Sequence, residues 1–130
     1  MGQAHAVPVS GPGDGMRLVP VYRVTVFVPP EHAEALRRGI CAVDPLQAGD
    51  YGEVMWTAAA GEEQFRPLAG ARPTLGTVGE LSRAPSVRLE FAILREPERL
   101  RRVYEQGIRA HHPWEVPAVF VDEAWFPLPS

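Results

Sequence analysis

This sequence has little cysteine, little net charge and no long apolar run. Among its 130 residues Cys41 is the only cysteine, so no disulfide forms within the chain and a reducing compartment is expected. The formal net charge of -3 and the pI near 5.8 argue against the clustered basic surface of a nucleic-acid-binding protein. No apolar stretch reaches the length of a membrane-spanning helix. These features predict a cytoplasmic protein with one folded domain and with neither nucleic acid nor membrane as a partner.

Signatures of common catalytic sites are also missing. The sequence contains neither the Gly-x-x-x-x-Gly-Lys nor the Gly-x-Gly-x-x-Gly pattern of nucleotide-binding loops. Its serines lack a local nucleophile motif, and no pair of carboxylates is set at motif spacing for acid and base work. The sequence therefore predicts no catalytic residue, and we expect that the protein is not an enzyme.

Apolar periodicity divides the chain into strands and helices. Alternation predicts strands over 22–28, 51–59, 87–94 and 118–126. Apolar residues three and four apart predict one helix that opens at Pro30 and one that opens at Pro97. Because residues 1–20 are rich in glycine and proline, we interpret them as a flexible leader, with a domain over 21–126 and a fraying tail over 127–130.

The predicted order β, α, β, β, α, β is that of the ferredoxin-like arrangement, an α+β fold with two helices on one face of an antiparallel sheet. An extended hairpin, with short strands at 64–67 and 77–81, is predicted for the long connection between the second and third strands. Alternation assigns a largely apolar set to the other face of the sheet: Arg23, Thr25, Phe27, Met55, Thr57, Ala92 and Leu94. That face predicts an interface between copies of the chain.

The densest chemistry lies between the second helix and the last strand. Pro113 disfavours helical geometry at His112, so the chain turns there. His112 and Glu115, with His111, are candidate ligands for a divalent metal ion such as zinc or copper. In the alternative interpretation, which we favour because no second ligand pair is evident, His112 caps the helix and Glu115 accepts hydrogen bonds at a subunit boundary.

A second candidate site lies in the glycine-rich connection. Main-chain amides there, together with Arg66 or Arg72, have the chemistry to hold an anion, although glycines also serve tight turns without any ligand. With the aromatic side chain of the later turn included, the predicted residues for binding a ligand or partner are Phe65, Arg66, Arg72, Gly76, Gly79 and Trp114.

Three ordered segments resemble one known family. The segments are Gly49-Asp50-Tyr51, the run from Gly61 to Gly79 that includes Gln64-Phe65-Arg66-Pro67, and Ala110 with His112-Pro113-Trp114-Glu115 and Pro117-Ala118. Together they resemble the inserted domain of the Nif-three-like dinuclear-metal-centre proteins, found also as short stand-alone proteins. That domain is similar in fold to the CutA divalent-cation tolerance proteins and the P-II signalling proteins. The resemblance covers about residues 21–126.

The resemblance implies an oligomeric module without its own catalytic centre, a trimer by analogy with its fold relatives, that contacts a small-molecule or protein ligand through the long connection. Full-length members hold two metals in flanking domains, and this chain does not contain those ligands. The family usually has tyrosine at the position of Trp114, which keeps an aromatic ring without the hydroxyl. Two other hypotheses remain, namely a divalent-metal-binding protein for metal tolerance or homeostasis and an accessory subunit of a hydrolase.

Overall fold

Two long antiparallel strands form the centre of one sheet. The computed structural model describes residues 5–9 and 15–129. The strands in this part of the chain are β1 (Val7–Val9), β2 (Met16–Val28), β3 (Trp56–Thr57), β4 (Gly61–Phe65), β5 (Ser82–Leu94) and β6 (Val119–Pro129). The helices are α1 (Ala33–Val43), preceded by a 3-10 turn (Pro30–His32), and α2 (Pro97–Arg102), which continues as a π-helical segment (Val103–Arg109).

The sheet has the strand order β6-β2-β5-β3, with all neighbours antiparallel. Leaving aside the short strands β1 and β4, the elements follow one another as β2, α1, β3, β5, α2 and β6. The architecture is α+β, and its connectivity is consistent with a ferredoxin-like fold. Within the residues that the structure describes, no helix combines the length and apolar character needed to cross a membrane.

The core lies between the sheet and the two helices. The alternating valines of β2 and the spaced apolar residues of α1 meet there, and Val24, Leu36, Leu89 and Ile108 are all fully buried. Each such side chain contributes about 1.5–3 kcal/mol by leaving water. The periodicities of two and of three to four residues therefore predicted the core correctly.

Two glycines allow the helices to approach each other closely. A Cβ atom on Gly107 would lie 3.2 Å from the Cα of Ile40 in α1, and one on Gly39 would clash with the His111 ring. The close approach of Gly107 is therefore to α1. The π-helical segment matches this packing, since its two fully buried apolar residues, Val103 and Ile108, are five positions apart.

The sheet extends further at both ends of the chain than the periodicity predicted. Residues 7–9 and 16–20 had been interpreted as leader, but β1 pairs with Met16–Leu18 at the start of β2. Residues 127–129 were predicted to be a fraying tail, but they belong to β6 and pair with the same part of β2. Pro20 favoured a loop in the sequence, yet it lies inside β2 opposite Trp125. Residues 1–4, 10–14 and 130 lie outside the described residues.

The second predicted strand is much shorter than expected. Only Trp56 and Thr57 pair with β5, because the chain before them forms a loop in which Leu46 and Glu53 have positive φ angles. Thr57 pairs with the buried Leu89 and its hydroxyl accepts from the Arg37 side chain of α1, so it faces the helices. Met55 also packs against the core. The assignment of Met55 and Thr57 to the open face is therefore wrong, and Trp56 lies there instead.

A buried ion pair holds the loop that follows α1. Asp44 is almost fully buried and accepts two hydrogen bonds from the Arg99 guanidinium, at 2.6 and 2.9 Å. It also accepts a hydrogen bond from the backbone N–H of Leu46, whose side chain is fully buried. Burial alone would raise the pKa of Asp44, but the bonds from Arg99 and from the Leu46 amide hold that pKa below its ordinary value. Local sequence patterns predict only that the helix ends near Asp44, and they do not indicate the pair with Arg99.

Candidate functional site

The long connection folds into a hairpin arm. Residues 61–86, here called the arm, contain β4 paired with Ser82–Ser86 of β5 and a loop over 66–81. An extended hairpin was predicted, but its strands lie at 61–65 and 82–86 instead of at 64–67 and 77–81. Strand alternation places Glu63 and Phe65 on one face of the arm, and their neighbours Ala84 and Ser86 on that face are buried.

The arm loop closes upon itself through Arg66 and two glycines. The Arg66 guanidinium donates to the carbonyl oxygen of Gly79 at 2.6 Å, and the Gly79 N–H donates to the Pro67 carbonyl at 2.7 Å. Gly76 has a φ of +89°, and a Cβ atom there would lie 2.8 Å from Ser82 Oγ, so the position favours glycine. These predicted site residues build the loop that flanks the site.

The arm packs against the turn over 112–118, here called the turn. The backbone N–H of Arg72 donates to Glu115 Oε1 at 3.1 Å, and the Thr74 hydroxyl donates to the Pro113 carbonyl at 2.9 Å. The rings of Phe65 and Trp114 lie 5.6 Å apart between centroids. Residues distant in sequence are therefore joined by both hydrogen bonds and an aromatic contact.

His112 ties the turn to the end of β2. It is buried, and its Nε2 lies 2.7 Å from the Phe27 carbonyl oxygen, which can only accept, so Nε2 carries the proton. Nδ1 then accepts the hydrogen bond from the Trp114 backbone N–H, at 3.1 Å. Burial lowers the pKa of His112, and the bond to Phe27 offsets part of that change. The ring is therefore neutral and engaged at both nitrogens.

His111 occupies a different environment from His112. Its Nδ1 lies 2.8 Å from the Gly107 carbonyl oxygen in the last turn of the second helix, and its ring lies against Gly39. The structural role expected for His112, a cap at the end of the helix, is therefore performed by His111. The expectation for Glu115 was a hydrogen-bond acceptor, and it does accept from the Arg72 backbone.

The three candidate metal ligands do not form a common site. His112 uses both ring nitrogens for protein contacts, and the nearest partner of His111 is the helix backbone. Among residues 5–9 and 15–129, no group of three or more His, Cys, Asp or Glu side chains is placed to hold a metal ion. The geometry of these residues thus supports the structural interpretation of the turn.

A pocket of about 510 Å³ lies between the arm and the turn. Phe65 and Trp114 form part of its wall, together with apolar side chains of both segments: Pro67, Leu68, Pro73, Leu75, Val116 and Ala118. Its charged side chains are Glu63, Arg66 and Glu115. A mainly apolar pocket of this volume with a few polar groups is typical of a small-molecule site.

Glu63 also lines the pocket, although it was not among the residues predicted from the sequence. One carboxyl oxygen of Glu63, Oε2, and the Ser86 hydroxyl are both buried and have no hydrogen-bond partner in the described part of the chain. Burial raises the pKa of Glu63, and the neighbouring Ser86 hydroxyl offsets part of that rise. The signal that could have identified it was its position two residues before Phe65, which places both side chains on one face of a strand.

Together these features define an α+β protein whose candidate site is a pocket between the hairpin arm and the turn. No family model matches the chain. It is 34% identical over 124 residues to the GTP cyclohydrolase 1 type 2 homolog of Mycobacterium tuberculosis. The matched region covers 88% of this chain and 30% of that protein. The homolog of the same name from Bacillus subtilis is 30% identical over 96 residues, covering 74% of this chain and 25% of that protein.

A solved structure of a NIF3-related protein also matches this chain. A Bacillus cereus protein related to NIF3 matches with a TM-score of 0.66 and 25% sequence identity, covering 95% of this chain and 29% of that chain. Bacillus subtilis GlnK matches with a TM-score of 0.48 and 12% sequence identity, covering 81% of this chain and 85% of that chain. The chain is therefore similar to a small part of NIF3-related proteins and spans about 25–30% of the length of the curated relatives that it matches.

Proposed function

We propose that this chain is a small binding module that associates with copies of itself, holds a ligand in the pocket between the arm and the turn, and has no catalytic centre of its own. The observation that carries the proposal is the pocket itself. Two segments far apart in sequence are held together by the Arg72–Glu115 and Thr74–Pro113 hydrogen bonds around a space of about 510 Å³.

The open face of the sheet supports self-association. One register row crosses four strands, from Phe120 through Thr25 and Glu90 to Trp56. Thr25 donates to Glu90 in the middle of this row, while Phe120 and Trp56 at its ends are 63% and 53% exposed. Large aromatic side chains that flank a satisfied polar pair are favourable for an interface between copies of a chain.

The proposal extends no catalytic activity from the larger relatives to this chain. It spans about 30% of the protein named GTP cyclohydrolase 1 type 2 homolog, and similarity over such a segment supports only the function of a module. Regulation of a larger partner through ligand binding is the role that we assign to this module.

A ligand screen monitored by NMR tests the binding part of the proposal. The chain has three tryptophans, whose indole N–H signals are assigned from single Trp→Phe variants. We expect compounds that bind to shift the Trp114 signal while leaving those of Trp56 and Trp125 in place. A diverse set of small molecules that leaves the Trp114 signal unmoved would contradict a ligand site here.

A further inference from the structure

The polar groups that line the pocket differ in how far the protein already satisfies them. Arg66 donates to the Gly79 carbonyl, Thr74 donates to the Pro113 carbonyl, and Glu115 accepts from the Arg72 backbone. The Glu63 carboxyl, by contrast, has only the neighbouring Ser86 hydroxyl beside it, and neither Glu63 Oε2 nor Ser86 Oγ makes a hydrogen bond of good geometry in the part of the chain that the structure describes. A carboxylate has about four acceptor positions, so one neighbouring hydroxyl leaves Glu63, which lines the pocket, with capacity for a further donor.

The aromatic walls of the pocket also favour a positively charged ligand. The faces of aromatic rings carry negative electrostatic potential and attract organic cations, most strongly for tryptophan. Trp114 and Phe65 are tilted at 50° to each other and line the same pocket as Glu63. A carboxylate combined with two aromatic rings is a favourable environment for a positively charged nitrogen on an apolar body.

We infer that the ligand of this pocket is an organic cation, in which an apolar or aromatic body lies against Phe65 and Trp114 and an ammonium group donates to the Glu63 carboxylate. This inference rests on the proposed function, because it concerns the same pocket. The alternative of an anion held by Arg66 is less favoured, since the Arg66 guanidinium already donates to Gly79 and two carboxylates share the pocket with it.

Three probes of equal size test this inference on the full chain. They are phenylpropylammonium, phenylpropanol and phenylpropanoate, which share an aromatic body and differ in the charge of the polar end. Titrations followed at the Trp114 indole signal give a dissociation constant for each. We expect the ammonium to bind about tenfold more tightly than the alcohol, with the carboxylate weakest.

Two variants separate Glu63 from the general charge of the arm. Glu63→Gln keeps the shape of the side chain, so we expect the ammonium to lose its advantage over the alcohol while the alcohol binds as before. Glu62→Gln is the matched control, since Glu62 is the exposed neighbour in β4 and does not line the pocket. Backbone amide spectra of both variants establish that the arm keeps its fold.

The outcomes distinguish this inference from the proposed function. Equal binding of alcohol and ammonium, tighter binding of the carboxylate, or an unchanged preference in Glu63→Gln would overturn the organic-cation assignment and leave a ligand pocket in place. If none of the three probes nor any compound of the wider screen moved the Trp114 signal, both proposals would be contradicted.

Discussion

The rings of Phe65 and Trp114 lie 5.6 Å apart between centroids, although one belongs to the arm and the other to the turn. This contact, with the hydrogen bond from the Arg72 backbone to Glu115, holds the candidate site together. The arm would otherwise project from the sheet as a two-stranded hairpin, which is marginally stable when isolated. The site therefore depends on how strongly the two segments are coupled.

A double-mutant cycle measures this coupling. Phe65→Ala, Trp114→Ala and the combined variant are compared by chemical denaturation, and we expect a coupling free energy of about 0.5–1.5 kcal/mol. The pair Phe65 and Trp56 serves as a control, because Trp56 lies on a different strand and does not line the pocket. A coupling for Phe65 and Trp114 no larger than that of the control pair would contradict the contact.

Protonation of His112 is expected to weaken the fold. Because burial lowers the pKa of His112 in the folded chain, the unfolded chain binds the extra proton more readily. Its contribution to stability is thus full above about pH 6.5, the ordinary pKa of histidine, and is lost as the pH falls from there through the lowered pKa. We expect the free energy of unfolding to fall more steeply between about pH 7 and pH 5 in the wild type than in His112→Gln.

His5→Gln is the control for this pH dependence, since His5 is exposed and remote in sequence from the turn. It should keep the slope of the wild type, because the substitution leaves His112 and its hydrogen bonds unchanged. If His112→Gln also kept that slope, the neutral and doubly hydrogen-bonded state of the imidazole would be wrong.

The buried pair of Asp44 and Arg99 is expected to matter far more than the exposed pairs on the helix surface. Asp44→Asn leaves the Arg99 guanidinium without its carboxylate, and we expect a loss of about 3 kcal/mol in the free energy of unfolding. Glu98→Gln, which removes an exposed partner of Arg101, should leave the unfolding midpoint unchanged. Similar midpoints for the two variants would show that the Asp44 pair is no stronger than a surface contact.

The contact between Gly39 and His111 predicts a rescue. Gly39→Ala gains helix propensity, but its Cβ would clash with the His111 ring and displace it from Gly107. We expect a net destabilisation of about 1–2 kcal/mol from this overpacking. Adding His111→Ala should recover most of the loss, and thermal unfolding of the single and double variants checks this. A Gly39→Ala variant as stable as the wild type would contradict the close contact.

Self-association is tested at the open face of the sheet. Phe120→Glu places a charge in the exposed aromatic row, and we expect it to reduce the mass measured by native mass spectrometry to that of one chain. Val78→Glu is the matched control, because Val78 is 47% exposed but lies in the arm loop and not on the sheet face. A wild-type protein that is monomeric at micromolar concentration would contradict the oligomeric part of the proposal.

Local patterns predicted the elements that have clear periodicity. The alternation of Val24, Val26 and Val28 gave the central strand and its buried face, and the spacing of Leu36 and Ile40 gave the inner face of α1. These features depend on neighbours within a few residues, so the sequence contains them directly. The antiparallel arrangement of the strands was predicted from the order of strands and helices along the chain.

Long-range relationships were not available from local patterns. Nothing near Asp44 indicates that Arg99 would neutralise it, and two adjacent histidines do not reveal that His111 meets the helix while His112 meets the Phe27 carbonyl. Leu46 has a positive φ angle, which no local pattern indicates. Because the loop that follows it is not a strand, alternation assigned Met55 to the wrong face of the sheet. The residues of the arm and turn were predicted as site candidates, but their mutual contacts depend on the tertiary fold.

The central claim is that the arm packs on the turn in solution and so encloses a ligand pocket. Nuclear Overhauser contacts between the Phe65 ring and the Trp114 indole of the full chain test it most directly. We expect clear contacts between these two rings, together with slow amide exchange at Arg72, whose N–H donates to Glu115. Absence of ring contacts, with an Arg72 amide that exchanges as fast as an unprotected one, would contradict it.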